Sequence, residues 1–172
     1  MTGLSWTHEA RSIPQRGPEL EREATAAERA AVAAALGLAS CDGLKVHYRV
    51  WPLDQGRFGL RCAFELSATQ ECVVTLEPIP QKYVQSFEIE LWPEKDLPQP
   101  ADGLIDAFAE NEPEGFADGI IDIGQIVLDR LIEVIDPYPR KRGAVFDWND
   151  ETASSSEPAG PFAKLKQLRP SS

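Results

Sequence analysis

Residues 44–66 read L-K-V-H-Y-R-V-W-P-L-D-Q-G-R-F-G-L-R-C-A-F-E-L, and the fold turns on how that stretch divides. Leu44, Val46, Tyr48 and Val50 alternate with Lys45, His47, Arg49 and Trp51, the period of a half-buried strand. Asp54-Gln55-Gly56 carries turn chemistry. After it Phe58, Leu60, Cys62, Phe64 and Leu66 point one way, while Arg61, Glu65, Ser67 and Thr69 point the other. This second strand is expected to run as far as Val74. L-E-P-I-P (residues 76–80) is expected to turn the chain again. Tyr83, Phe87, Ile89 and Leu91 then alternate with Lys82, Ser86, Glu88 and Glu90. Three strands joined by short turns make an antiparallel meander with one buried and one wet face.

Upstream, Leu4 to Ile13 alternates as a strand would, and Leu20 to Ala24 is a short strand candidate. T-A-A-E-R-A-A-V-A-A-A-L-G follows. Thr25 and Glu28 form a capping box, alanine favours helix, and Gly37 occupies the usual closing position. The pattern predicts a helix over 26–36. Its apolar face is thin, so close packing on a sheet through small side chains is expected. Downstream, Asp122 is expected to cap a second helix, with Gln125 completing the box. Ile123, Ile126, Val127, Leu131, Val134 and Ile135 supply its apolar face. Asp136-Pro137 stops it.

The whole reads as an α+β protein: an antiparallel meander sheet packed with two main helices. A single domain is expected over 1–145, interrupted by a mobile acidic loop at about 93–119. Leu104, Ile105 and Phe108 are the one candidate helical turn in that loop. A flexible tail is expected over 146–172.

The chain of 172 residues has a formal net charge of −11. Eleven acids and one base, Lys95, lie between Ser86 and Asp122, leaving the remainder near neutral. Such a segment repels phosphate and attracts basic partners. A solvated acidic loop that only aids solubility is the plainer alternative. Met1 leads into T-G-L-S-W-T-H-E, so no signal peptide is expected. No apolar run approaches membrane-span length. The three cysteines, Cys41, Cys62 and Cys72, have no metal-ligand spacing, which fits a reducing compartment. A soluble cytoplasmic protein is expected.

Chemistry-bearing patterns are few. Cys72 has no nucleophile signature around it, and Glu71 and Glu77 are expected to raise its pKa; a structural thiol is the expectation. Cys62 is expected in the core and Cys41 in a loop. His8 and His47 both fall on expected strands. No zinc pairs, calcium loop or phosphate-binding glycine loop occurs. No enzyme activity, metal, cofactor or small-molecule substrate is therefore expected. Two basic clusters remain: Arg140, Lys141 and Arg142 beside Tyr138, and Lys164, Lys166 and Arg169 in the tail. These are candidate phosphate contacts, with Tyr138 able to stack on a base. Phe162, Leu165 and Leu168, flanking Lys164, form an amphipathic turn that would dock on its own domain or on a partner.

Four stretches taken together, E-C-V-V-T-L-E-P-I-P (71–80), I-I-D-I-G (120–124), D-P-Y-P-R-K-R-G-A (136–144) and P-F-A-K-L (161–165), resemble the YceD family of bacterial and plastid proteins. The resemblance is to the proteobacterial branch with the D-P-Y-P-R-K signature. It implies a role in accumulation of large-subunit (23S) ribosomal RNA, and no catalytic residue is established for the family. Many relatives carry C-x-x-C before L-E-P; here the positions are Cys72 and Thr75. Some relatives also place cysteines where this chain has Tyr138 to Arg142. The resemblance thus implies that Cys72 is a remnant in a turn-forming motif. Two mechanisms stay open. In one, the acidic segment engages a basic ribosomal protein or assembly factor and the tail docks it. In the other, Arg140, Lys141, Arg142 and the tail lysines contact pre-large-subunit rRNA directly.

Overall fold

The computed structural model describes residues 3–97 and 113–146. Three long strands form the frame: β3 (Ser40–Pro52), β4 (Phe58–Glu71) and β5 (Pro78–Pro93). They pair antiparallel in chain order, Leu44 opposite Leu66 and Leu66 opposite Tyr83. Around them lie β1 (Thr7–Glu9), β2 (Glu19–Glu23), α1 (Ala26–Leu36), β6 (Glu114–Phe116), β7 (Ile120–Asp122) and α2 (Ile123–Val134). The main sheet runs β2-β3-β4-β5-β6, and β1 and β7 form a separate two-stranded sheet. This is an α+β fold.

The alternation read from residues 44–66 holds residue by residue. Leu44, Val46, Tyr48 and Val50 are buried with Leu60, Cys62, Phe64 and Leu66. Leu4, Trp6, Val32, Ile121, Ile123, Val127 and Leu131 close the core from the helical side. Burial of such side chains is the main favourable term, roughly 1.5–3 kcal/mol each. The opposite face of the sheet stays accessible to water, with Lys45, His47, Arg61, Glu65 and Glu88 exposed on it.

Helix α1 has the expected bounds. The Thr25 hydroxyl accepts the Glu28 amide, while the Glu28 carboxylate accepts the Thr25 amide at 2.8 Å. Gly37 closes the helix at φ +63. Only Val32 is buried along it, in keeping with the thin apolar face. Helix α2 starts at the expected cap, with Asp122 accepting from the Gln125 amide at 3.0 Å. The return half of that box is absent, because the Gln125 side chain donates forward to Asp129.

Several expectations need correction. The strand expected over Leu4 to Ile13 is only Thr7–Glu9, followed by a short 3-10 turn. Strand β4 stops at Glu71 rather than Val74, and the turn is 72–77. Pro78 and Pro80 belong to β5; they are tolerated because this stretch pairs on one side only among the described residues. Cys41 is not in a loop but buried in β3, beside a bulge between Cys41 and Gly43. The expected loop at 93–119 contains β6, parallel to β5, and is followed by β7. Three-residue strands have too few alternations to register as a period, so in the sequence the proline and acid content outweighs them. The candidate turn at Leu104, Ile105 and Phe108 and the tail docking motif lie outside the described residues. Among the described residues no helix is long and apolar enough to cross a membrane.

Candidate functional site

The β4–β5 turn begins with Cys72 and folds tightly on itself. The Leu76 amide donates to the Cys72 carbonyl, and the Cys72 amide donates to Glu77, both at 2.9 Å. Leu76 takes φ +59, an uncommon value for a residue with a side chain. The same geometry swings the Thr75 amide onto the Cys72 sulfur at 3.4 Å.

The stretch after α2 is strapped across this turn. Asp136 accepts the Tyr138 amide at 2.9 Å, which bends the chain after the helix stop. The Gln70 side-chain amide donates to the Asp136 carbonyl, and the Tyr83 hydroxyl donates to Gln70 at 2.6 Å. Gln70 is thereby satisfied although buried, as a polar group inside a protein requires. The Val73 amide donates to the Pro139 carbonyl at 3.0 Å. The Lys141 amide donates to Cys72 Sγ, and Lys141 Nζ pairs with Glu77 at 2.9 Å.

Cys72 therefore differs from the expectation. Its side chain has no exposure, yet its pKa falls to about 7. The Lys141 amide is the largest cause, followed by the Thr75 hydrogen bond, and together these outweigh desolvation. The Glu77 carboxylate does not act as a bare negative field, because Lys141 and the Thr75 hydroxyl both hold it. Cys62 behaves as a core thiol, pushed up by burial to about 12. Neither histidine is close to Cys72. His47 pairs with Ala63, roughly 30 Å along β4 at about 3.3 Å per residue. His8 meets the Tyr48 hydroxyl at 2.8 Å. Among the described residues no group of His, Cys, Asp and Glu is placed to hold a metal ion.

The strap separates the sequence-derived basic cluster. Tyr138 is 71% exposed, and Arg140 and Arg142 are exposed with no ion pair among the described residues. Lys141 is exposed as well and differs in its partners: its amide bonds Cys72 Sγ and its ammonium pairs with Glu77 of the turn. Val73 and Leu76 add apolar surface on the neighbouring turn, with Leu76 69% exposed. Phe162, Lys164, Leu165 and Leu168 lie outside the described residues.

A second feature was not singled out in the sequence. On the outer face of the sheet a cleft of about 660 Å³ lies between Trp51 and Trp92. Gly59, opposite Trp51, forms part of its lining, and Glu88 and Glu90 line it from β5. Arg57 stacks on Trp92 at 3.5 Å from the ring centre. The available signal was two tryptophans at wet-face positions of alternating strands, where charged and small residues otherwise occur.

No family model, curated protein or solved structure matches this chain.

Proposed function

We propose that this protein is a non-enzymatic factor supporting accumulation of large-subunit (23S) rRNA, and that it acts by holding a basic ribosomal protein or assembly factor. The process is drawn from the four-motif resemblance to the YceD family. The mechanism is drawn from charge. Eleven acids against one base between Ser86 and Asp122 repel phosphate and favour a cationic protein. In the described part of that segment Glu88, Glu90, Glu94 and Asp96 are exposed, so the charge faces outward along and after β5.

A second reading, direct contact with rRNA, is supported by the strap. Arg140 and Arg142 project beside Tyr138, which is the residue set that phosphate contact and base stacking use. Lys141 pairs with Glu77 in a half-exposed ion pair of the kind worth little, so it stays available beside its neighbours.

The deciding experiment is capture of tagged protein from growing cells with and without RNase. A basic protein retained after RNase supports the first mechanism. Loss of every partner with RNase, together with binding that weakens steeply with salt, supports the second and overturns the first.

A further inference from the structure

We propose that the cleft between Trp51 and Trp92 seats an arginine or lysine side chain from an extended basic segment of the protein partner. This rests on the partner being a protein, as proposed above, and specifies where and by what chemistry it is held.

The cleft has the volume of a specific binding site, about 660 Å³. Its lining combines two indoles and two carboxylates, and no lysine or arginine lines it among the described residues. Indole faces attract cations. Both rings already do so within this molecule: Arg57 lies 3.5 Å from the Trp92 ring centre and Arg49 lies 5.7 Å from that of Trp51. The carboxylates complete a cationic site. Glu90 is oriented by the Trp92 indole N–H at 2.8 Å. Glu88 is held by Arg61 at 2.8 Å, a half-exposed pair of the kind worth little, so an incoming guanidinium exchanges with it readily.

The spacing selects an extended peptide. Glu88 and Glu90 sit two residues apart on the same face of β5, which sets them about 7 Å apart. Alternate side chains of an extended peptide repeat at that same distance. Exposed Glu94 and Asp96 continue the negative charge beyond the strand. Arg49, Arg57 and Arg61 stand at the rim of the cleft on Trp51, Trp92 and Glu88, so a phosphate backbone is the competing ligand that the test must separate from a basic peptide.

The test follows the indole N–H signals of the full chain by NMR. The probe is a short peptide with arginines at alternate positions separated by serines; a matched glutamine peptide and a single-stranded oligouridylate are run beside it. Trp6 is the internal reference, since its indole is buried and donates to Glu28 at 2.8 Å. The arginine peptide is expected to shift Trp51 and Trp92 saturably and leave Trp6 in place. Replacing Glu88→Gln with Glu90→Gln should weaken binding about fivefold, and Trp51→Leu about threefold. Absence of any indole shift, equal shifts at Trp6, unchanged affinity in the double variant, or tighter saturation by oligouridylate would overturn the proposal.

Capture from cells separates the two levels. If the wild-type chain holds an RNase-resistant protein and the double variant holds it equally well, the cleft is not the seat and the general reading survives. If the wild-type chain holds none while the peptide still titrates both indoles, the general reading falls and the cleft stands as a basic-peptide site.

Discussion

The amide of Lys141 donates a hydrogen bond to the sulfur of Cys72 at 3.3 Å, across 69 residues of sequence. With the Thr75 amide at 3.4 Å, the thiol collects two backbone donors, one from its own turn and one from the strap. The contact sets the direction of the strap. Lys141 also pairs with Glu77 at the surface of the turn, and Arg140 and Arg142 on either side of it are exposed. Cys72 is thus a joint between the meander and the stretch that carries the basic cluster.

Removing the acceptor should release that joint. Cys72→Ala takes the acceptor away from two amides in part-buried hydrogen bonds, which costs stability to the extent that water does not replace it. The melting temperature should fall and the Lys141 and Thr75 amides should lose hydrogen-exchange protection. Cys72→Ser, which keeps an acceptor, should retain most of that protection. Equal protection in wild type and Cys72→Ala would show that the sulfur does not hold the strap.

The same donors make Cys72 titrate early. Its folded pKa of about 7 lies below the free-thiol value of 9.0. Between those values the unfolded chain binds more protons, so this group's contribution to stability rises with pH from 7 to 9. That contribution is lost as pH falls through about 7. The β-carbon NMR shift of Cys72 should move with a midpoint near 7, while Cys62, at about 12, stays protonated. A midpoint for Cys72 at or above the free value would sink the assignment.

His8 gives the opposite group a similar sign. Burial, with Arg22 nearby, lowers its pKa below 6.5, so it prefers to stay neutral against the Tyr48 hydroxyl. The unfolded chain takes up the proton first as pH falls through 6.5. Stability carried by this group is complete above that value and drains below it. Wild type should therefore lose more melting temperature between neutral pH and mildly acidic pH than His8→Gln does. Identical acid sensitivity in the two proteins would exclude His8 as the cause.

The Thr25 cap offers a calibration in a region with no proposed function. Thr25→Ala removes the hydroxyl that accepts the Glu28 amide and should cost about 1 kcal/mol. Chemical denaturation measures it directly, with an unchanged slope against denaturant. A loss far beyond about 2 kcal/mol would mean that the hydroxyl supports more than helix α1.

The long-period features of this chain were legible because each repeats many times. Eleven helical residues from Ala26 to Leu36 and the alternations of β3, β4 and β5 leave patterns that no single exception hides. The missed elements are the short ones. Glu114–Phe116 and Ile120–Asp122 take their strand identity from partners far away in sequence, not from their own residues, and Thr7–Glu9 is the paired part of a longer expected strand. The site divided in the same way. Tyr138, Arg140, Lys141 and Arg142 were recognisable as a cluster, but the contacts of Lys141 depend on Cys72 and Glu77, which only the fold brings near. Trp51 was legible on the wet face of its strand and Trp92 was not, and nothing local says that the two indoles share one cleft.

Gly59 links that cleft to the sheet beneath it. A Cβ built there would lie 2.4 Å from the Trp51 ring, so the indole rests where a side chain would stand. Trp51 is only half-buried and its ring is the far end of a side chain, so it has somewhere to go. Gly59→Ala should therefore leave the protein folded at a cost of about 1–3 kcal/mol, the usual range for overpacking. The displaced indole should emit at longer wavelength, and the cleft should lose one wall and its affinity for the arginine peptide. Gly59→Ala emission matching the wild type would place the Trp51 ring elsewhere. Altered emission with undiminished peptide binding would instead remove Trp51 from the site and leave Trp92 and the two carboxylates as its basis.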